Sequence, residues 1–281
     1  SELTKEQRDK YNNLILLCSV HHKIIDDQEN KYTIDLLKQY KNEHENWISQ
    51  NLSINKIKER DDIVYAGYID TLIELADINS WKVWTSYVFG GGSPSIKNTT
   101  IDDLRKVIEF ILSRVWPKRY SKLETAIKNF KNVTNDFLSV FNQYAENERP
   151  LNKNQKEYMV STEKFYKIRE WDTERYNKLL SKYEYHCLLV EDLLLEMTRA
   201  LNHIFDLVRL YIFPSFRMNE GVLLIEIGPF MDLTWRTYRT EYRAEELETL
   251  YPRLRKFMEI RENRDQSRGN GISEDYFPKT Y

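Results

Sequence analysis

The sequence predicts a mainly α-helical protein carrying one β-hairpin, and three observations lead there. Only 8 Gly and 7 Pro punctuate 281 residues, so long stretches run without a helix breaker. Apolar side chains recur through those stretches at spacings of three and four, the helical period. One region, near residues 221–242, changes to the alternation of two that a strand requires. The length allows one large domain or two ordinary ones, with ample material for a core. The polar stretch SINKIKERDD suggests a first unit over 1–52 and a second, helical one over 53–281. Lys and Arg number 42 against 44 Asp and Glu, a formal charge of −2, which removes bulk charge as a ground for nucleic-acid, membrane or acidic partners. Any basic surface must be local. No stretch approaches the roughly 18 uninterrupted apolar residues of a membrane span. Cys18 and Cys187 are too few for a disulfide framework, so the expected compartment is a reducing cytoplasm.

Taken in chain order, NLILLCSV (13–20) is a short apolar run ahead of HHKIIDD, and reads as a buried strand or turn feeding a short helix. Thr33 is placed to cap the next helix, IDLLKQYKNEHENWISQNL, with Asp35 at its positive end. Helical spacing resumes in IVYAGYIDTLIELADINSWKVWTSYV, where Trp81 and Trp84 fall on one face as core aromatics. Gly90-Gly91-Gly92-Ser93-Pro94 then forces a loop. It lacks the G-K-S/T and the preceding strand of a phosphate-binding loop, so it is only a weak hint of one. Thr100 with Asp103 and Ser121 with Glu124 have capping-box spacing, placing helix starts near 101 and 122, with Pro117 between them. From about Asn154 to Phe213 the chain reads as one very long helix, or two broken near Tyr183, its second half apolar on most faces and therefore buried. GVLLIEIG and DLTWRTYRTEY form the hairpin, and one more helix precedes a polar, extended end.

Chemistry-bearing residues concentrate near the N-terminus. The run NLILLCSVHHKIIDD carries Asn13, Cys18, His21, His22 and Asp26; with YTIDLLKQYKNEH after it, it resembles the C-terminal half of an HNH endonuclease, the ββα-metal fold. The resemblance covers roughly residues 4–48. It implies a metal-dependent enzyme that hydrolyses DNA phosphodiester bonds. Such chemistry needs an activated water, a divalent cation on the phosphate and leaving oxygen, and a base on the opposite side. By the resemblance, Asn13 steadies the loop that holds the base, while His22 and Asp26 bind the catalytic Mg²⁺ or Mn²⁺. Their i, i+4 spacing puts both on one helix face. Cys18 and His21 have the C-x2-H spacing of half a structural Zn²⁺ site, which two upstream cysteines complete in zinc-knuckle members. The plainer reading makes Cys18 a small apolar residue and His21 a packing residue. The family's general base is a histidine on the first strand of the unit, and no residue before Asn13 can play it. The chain opens on Ser1 rather than Met, so the expectation is an upstream segment that supplies the base; the competing expectation is a decayed remnant.

Elsewhere, His44 reads as solvated or packing, and Arg199 with His203 as a buried polar pair rather than a helical ribonuclease centre. Arg236, Arg239 and Arg243, interleaved with aromatics, and Arg261, Arg264 and Arg268 at helical spacing suit nucleic-acid phosphates or an anionic nucleotide, against the commoner salt-bridged faces that Glu241, Glu245, Glu259 and Glu262 offer. HNH modules fused to helical domains occur among bacterial anti-phage systems, so the analogy implies a regulated defence effector acting on DNA. Its helical domain would form a homo-oligomer or dock a partner defence protein. The alternative is a non-catalytic helical interaction or sensor subunit carrying a degenerate HNH remnant.

Overall fold

The structure, a computed structural model, describes residues 4–52, 56–147, 156–170, 172–273 and 276, the side chains of 50–52 excepted. It divides into two compact units, residues 1–60 and 61–281. The first begins with α1 (Lys5–Arg8), whose N-terminus is closed reciprocally: Gln7 N–H donates to Thr4 Oγ1 and Thr4 N–H to Gln7 Oε1. A 3-10 turn over Tyr11–Asn13 leads into extended chain at 14–17, then α2 (Ser19–Asp26) and α3 (Ile34–Leu52). Thr33 caps α3 as expected, its hydroxyl accepting from Leu36 N–H at 3.3 Å. The NLILLC run, expected to be buried, is exposed instead: Leu16 is fully open and no described side chain of this unit is buried. An extended segment hides an apolar face only against neighbours, and among the described residues 14–17 pair with no strand.

The chain continues through α4 (Lys56–Leu75) and α5 (Trp81–Ser86) to β1 (Ser95–Lys97), α6 (Asn98–Ser113) and α7 (Ser121–Asn142). There follow β2 (Ala145–Asn147), β3 (Met159–Thr162), α8 (Thr173–Tyr211), β4 (Leu224–Ile227), β5 (Arg236–Arg239) and α9 (Leu254–Ile260). The molecule is thus mainly helical with small antiparallel sheets. The core of the second unit lies between α7 and α8. Leu123, Ile127, Phe130, Thr134, Phe137 and Phe141 form one buried stripe at spacings of three and four along α7. Facing it, α8 buries nearly every side chain from Leu189 to Val208, as its unbroken apolar character predicts. Trp81 and Trp84 join this core, meeting edge-on at 4.8 Å, with Trp81 Nε1–H donating to Thr198 Oγ1.

Two expectations are corrected here. The long helix does not start near 154; it starts at Thr173, where Asp172 accepts from Arg175 N–H at 3.0 Å, and then runs unbroken through Tyr183 for 39 residues. Upstream of it, Met159–Thr162 is the central strand of a sheet in the order β1-β3-β2, with Ile96 opposite Val160. Four residues are too few to show a period, and one partner strand, β1, comes from distant sequence. The capping boxes also fail. α6 starts at Asn98 and α7 at Ser121 without a side-chain cap, because Glu124 turns inward to accept from Tyr65 O–H at 2.5 Å and Lys118 N–H at 2.8 Å. The hairpin is present as expected, β4 pairing antiparallel with β5 and Ile225 facing Tyr238. No described helix is long and apolar enough to cross a membrane.

Candidate metal centre

Helix α2 sets the geometry. Cys18 stands at its N-cap, and His21, His22 and Asp26 follow within two turns. Successive helical residues diverge by about 100°, so His21 and His22 face different ways and the candidate residues separate into two pairs. In one, His22 Nδ1 lies 2.9 Å from Asp26 Oδ2, with the two side chains 68% and 65% exposed. In the other, Cys18 Sγ lies 3.0 Å from His21 Nδ1. The His21 backbone N–H, and then its ring, favour the thiolate and hold the Cys18 pKa below its ordinary value.

The segment before α2 is tied down by α3. Tyr11 O–H donates to Glu45 Oε1 at 2.8 Å, which raises the tyrosine pKa, while Lys41 donates to the Tyr11 carbonyl and stands 4.0 Å over its ring. Asn13 Nδ2–H donates to the Gln7 carbonyl at 2.6 Å, tying the 3-10 turn back to α1. Asn13 also lines a cleft of about 350 Å³ with Leu14, Ile15, Ile34 and Leu37. Asp26 opens onto a second, of about 530 Å³, along 26–31. His44 stacks on Trp47 at 6.1 Å and so has a packing role.

An imidazole nitrogen beside a carboxylate oxygen suits a divalent cation that keeps water and phosphate in its remaining positions, the habit of Mg²⁺ and Mn²⁺. Among the described residues no group of three His, Cys, Asp or Glu stands together as a metal site. Structural Zn²⁺ takes four protein ligands, of which Cys18 and His21 are two.

The hairpin arginines are each matched to carboxylates. Arg236 lies 3.7 Å from Asp232 and over the Phe230 ring, Arg239 is forked onto Glu241, and Arg243 binds Glu246 at 2.8 Å with Glu245 at 3.4 Å. The densest polar assembly corrects the expectation for Arg261 and Arg264, which are buried in ion pairs instead of open to an anion. Asp192, Glu196 and Arg199 line one stripe of α8 inside its most buried half. Arg261 Nη1–H donates to Asp192 Oδ2 at 3.0 Å, Arg264 reaches both Glu196 and Glu246, and Arg199 joins Glu196 to Asp265. Tyr242 O–H donates to Glu196 at 2.9 Å. Burial pushes the Glu196 pKa up against the pull of its arginines. A signal existed: charges at positions i, i+4 and i+7 of an otherwise apolar helix must find buried partners. Arg199 is 1% exposed, and the half-buried His203 packs edge-on to Tyr242, its pKa lowered by burial. No family model matches this chain, and no curated protein or solved structure matches it.

Proposed function

We propose that the first unit is the C-terminal half of an HNH module and that the protein hydrolyses DNA phosphodiester bonds as a regulated defence effector. The observation that carries this reading is the exposed His22–Asp26 pair on one face of α2, within the run that resembles the family. The contact as found needs the imidazole proton on Nδ1, which leaves the Nε2 lone pair for a cation and makes Asp26 the group that orients the ring. Sharing the cation directly would require Asp26 to turn away from Nδ1. A bound Mg²⁺ or Mn²⁺ would neutralise charge on the phosphate and acidify an attacking water. Asn13 holds the turn ahead of the site, and Cys18 with His21 would anchor the start of α2, as a thiol–imidazole contact or as half of a Zn²⁺ site. The reaction also needs a base on the far side of the phosphate, which this pair does not provide; the exposed apolar run 14–16 leaves a face for a strand that carries one.

The test is nicking of supercoiled plasmid by the protein expressed from its natural start, with Mg²⁺ or Mn²⁺ and with chelator. Metal-dependent nicking that falls by roughly 100-fold or more in His22→Ala is expected, with thermal unfolding unchanged because His22 is exposed. Plasmid left intact by wild type, or cut equally by His22→Ala, overturns the reading. A second reading, a non-catalytic helical sensor with an HNH remnant, draws on the incomplete ligand set among the described residues; it expects no metal-dependent effect of that substitution.

A further inference from the structure

Helix α7 packs one face into the core and turns the other to solvent. It carries two carboxylates, Glu124 and Asp136, and both are buried. Glu124 accepts from Tyr65 O–H and Lys118 N–H, while Asp136 accepts from Tyr251 O–H at 2.8 Å with the Arg253 guanidinium 3.7 Å away. Every side chain of α7 that is not buried is Lys, Ser, Thr or Asn. The outer face therefore has Lys122, Lys128 and Lys131 as its only charges, with Thr125, Asn132 and Asn135 among them. Residues three apart on a helix are neighbours, so Lys128 and Lys131 stand together as like charges. Glu124 occupies the position, four residues earlier, from which a carboxylate would relieve Lys128, yet its side chain is held inside by Tyr65.

Other helices of this unit balance their cations. On α6, Arg105 lies 2.9 Å from Asp102 and Lys106 2.7 Å from Asp103; on α9, Lys256 lies 2.8 Å from Glu259. In a chain of net charge −2, the outer face of α7 is thus a local concentration of positive charge. Its composition selects the partner. A stable protein–protein contact is anchored by apolar or aromatic side chains at its centre, and a helix on an anionic membrane sinks apolar side chains below the headgroups; α7 exposes none. Phosphate oxygens are bound by Lys, Ser, Thr and Asn side chains alone. The 22 residues of α7 extend about 33 Å, close to the roughly 34 Å of one turn of duplex DNA.

We propose that the outer face of α7 docks the sugar-phosphate backbone of DNA without regard to sequence, Lys122, Lys128 and Lys131 each taking a phosphate. The choice of DNA among polyanions rests on the nuclease reading, while the residues belong wholly to the second unit. Fluorescence anisotropy of short duplexes of two unrelated sequences, with the full chain carrying His22→Ala and with chelator so that nothing is cut, tests it. Both duplexes should bind alike, with affinity falling steeply between about 50 and 200 mM salt. Lys122→Gln, Lys128→Gln and Lys131→Gln combined should weaken binding at low salt roughly tenfold or more and flatten the log–log salt dependence by about 3, about one for each lost phosphate contact. The matching Lys→Arg triple variant should keep both. Lys82→Gln, Lys97→Gln and Lys106→Gln combined make the same change in net charge at lysines already paired to carboxylates, and should leave the salt dependence in place. The absence of DNA binding at low salt, an unchanged salt dependence in the α7 variant, an equal loss in the control variant, or tighter binding of polyglutamate or phosphatidylserine vesicles than of DNA overturns the proposal. Intact binding beside a failed plasmid test removes the nuclease alone; metal-dependent nicking beside an unchanged salt dependence in the α7 variant removes this surface alone.

Discussion

Asp192 and His186 lie on α8, both sealed from solvent, and burial acts on them with opposite sign. Desolvation pushes the Asp192 carboxyl up to about 6, despite Arg261 beside it, and the His186 ring down to about 4. The folded state holds the Asp192 proton more tightly than the unfolded chain does, so stability present below about pH 4 is lost as pH rises through about 6. For His186 the folded state prefers the neutral ring; its contribution is full above about pH 6.5 and is lost as pH falls through about 4. Each effect is on the order of 3 kcal/mol, and in wild type they offset one another between these limits. Urea unfolding across that range should therefore show stability rising with pH in Asp192→Asn and falling with pH in His186→Phe. Slopes of the same sign in both variants would sink this account. The His22–Asp26 and Cys18–His21 pairs were legible in the sequence because one helix fixes both spacings. The Asp192–Arg261 pair was not, since its partners are 69 residues apart and only tertiary packing joins them.

Among the elements, the hairpin depends on one side chain of α8. Asn202 Nδ2–H donates to the carbonyls of Leu223 and Thr240, and its Oδ1 accepts from Leu223 N–H at 2.8 Å. Asn202→Leu leaves these buried groups unpaired, at a cost of about 1–3 kcal/mol for each. The expected result is faster amide exchange over 223–240 with α7 unaffected; unchanged exchange there would show that the tether is dispensable. At the start of the same helix, Asp172→Ala should lower stability by about 1 kcal/mol through loss of the cap, measurable as a shift in urea midpoint at constant slope. Helices α3, α7 and the inner half of α8 were readable because each repeats its apolar spacing over four turns or more, and the hairpin because a short β-type run between Gly221 and Gly228 is followed by the alternation of 232–242. Strands β1, β2 and β3 span three or four residues each and owe their existence to one another, β3 pairing with β1 residues 62–66 positions before it and with β2 residues 13–17 positions before it.

At the scale of the whole molecule, burial is divided unequally. Among the described residues every fully buried side chain belongs to the second unit, while the first is held by surface hydrogen bonds and a cation over Tyr11. Amide exchange should follow that division: α7 and the inner half of α8 should open only with global unfolding, and residues 5–47 should exchange orders of magnitude faster. Equal protection in both units would mean that the first acquires cover from elsewhere. The buried ion pairs of the second unit carry a different kind of consequence. A buried pair that loses one member strands a charge at about 3–5 kcal/mol, whereas replacing both members with well-packed apolar residues is close to neutral. Positions 192 and 261 are therefore inherited as a unit. Descendants of this chain should keep Asp with Arg or exchange both for an apolar couple, and the single-step intermediates between those two states should be purged.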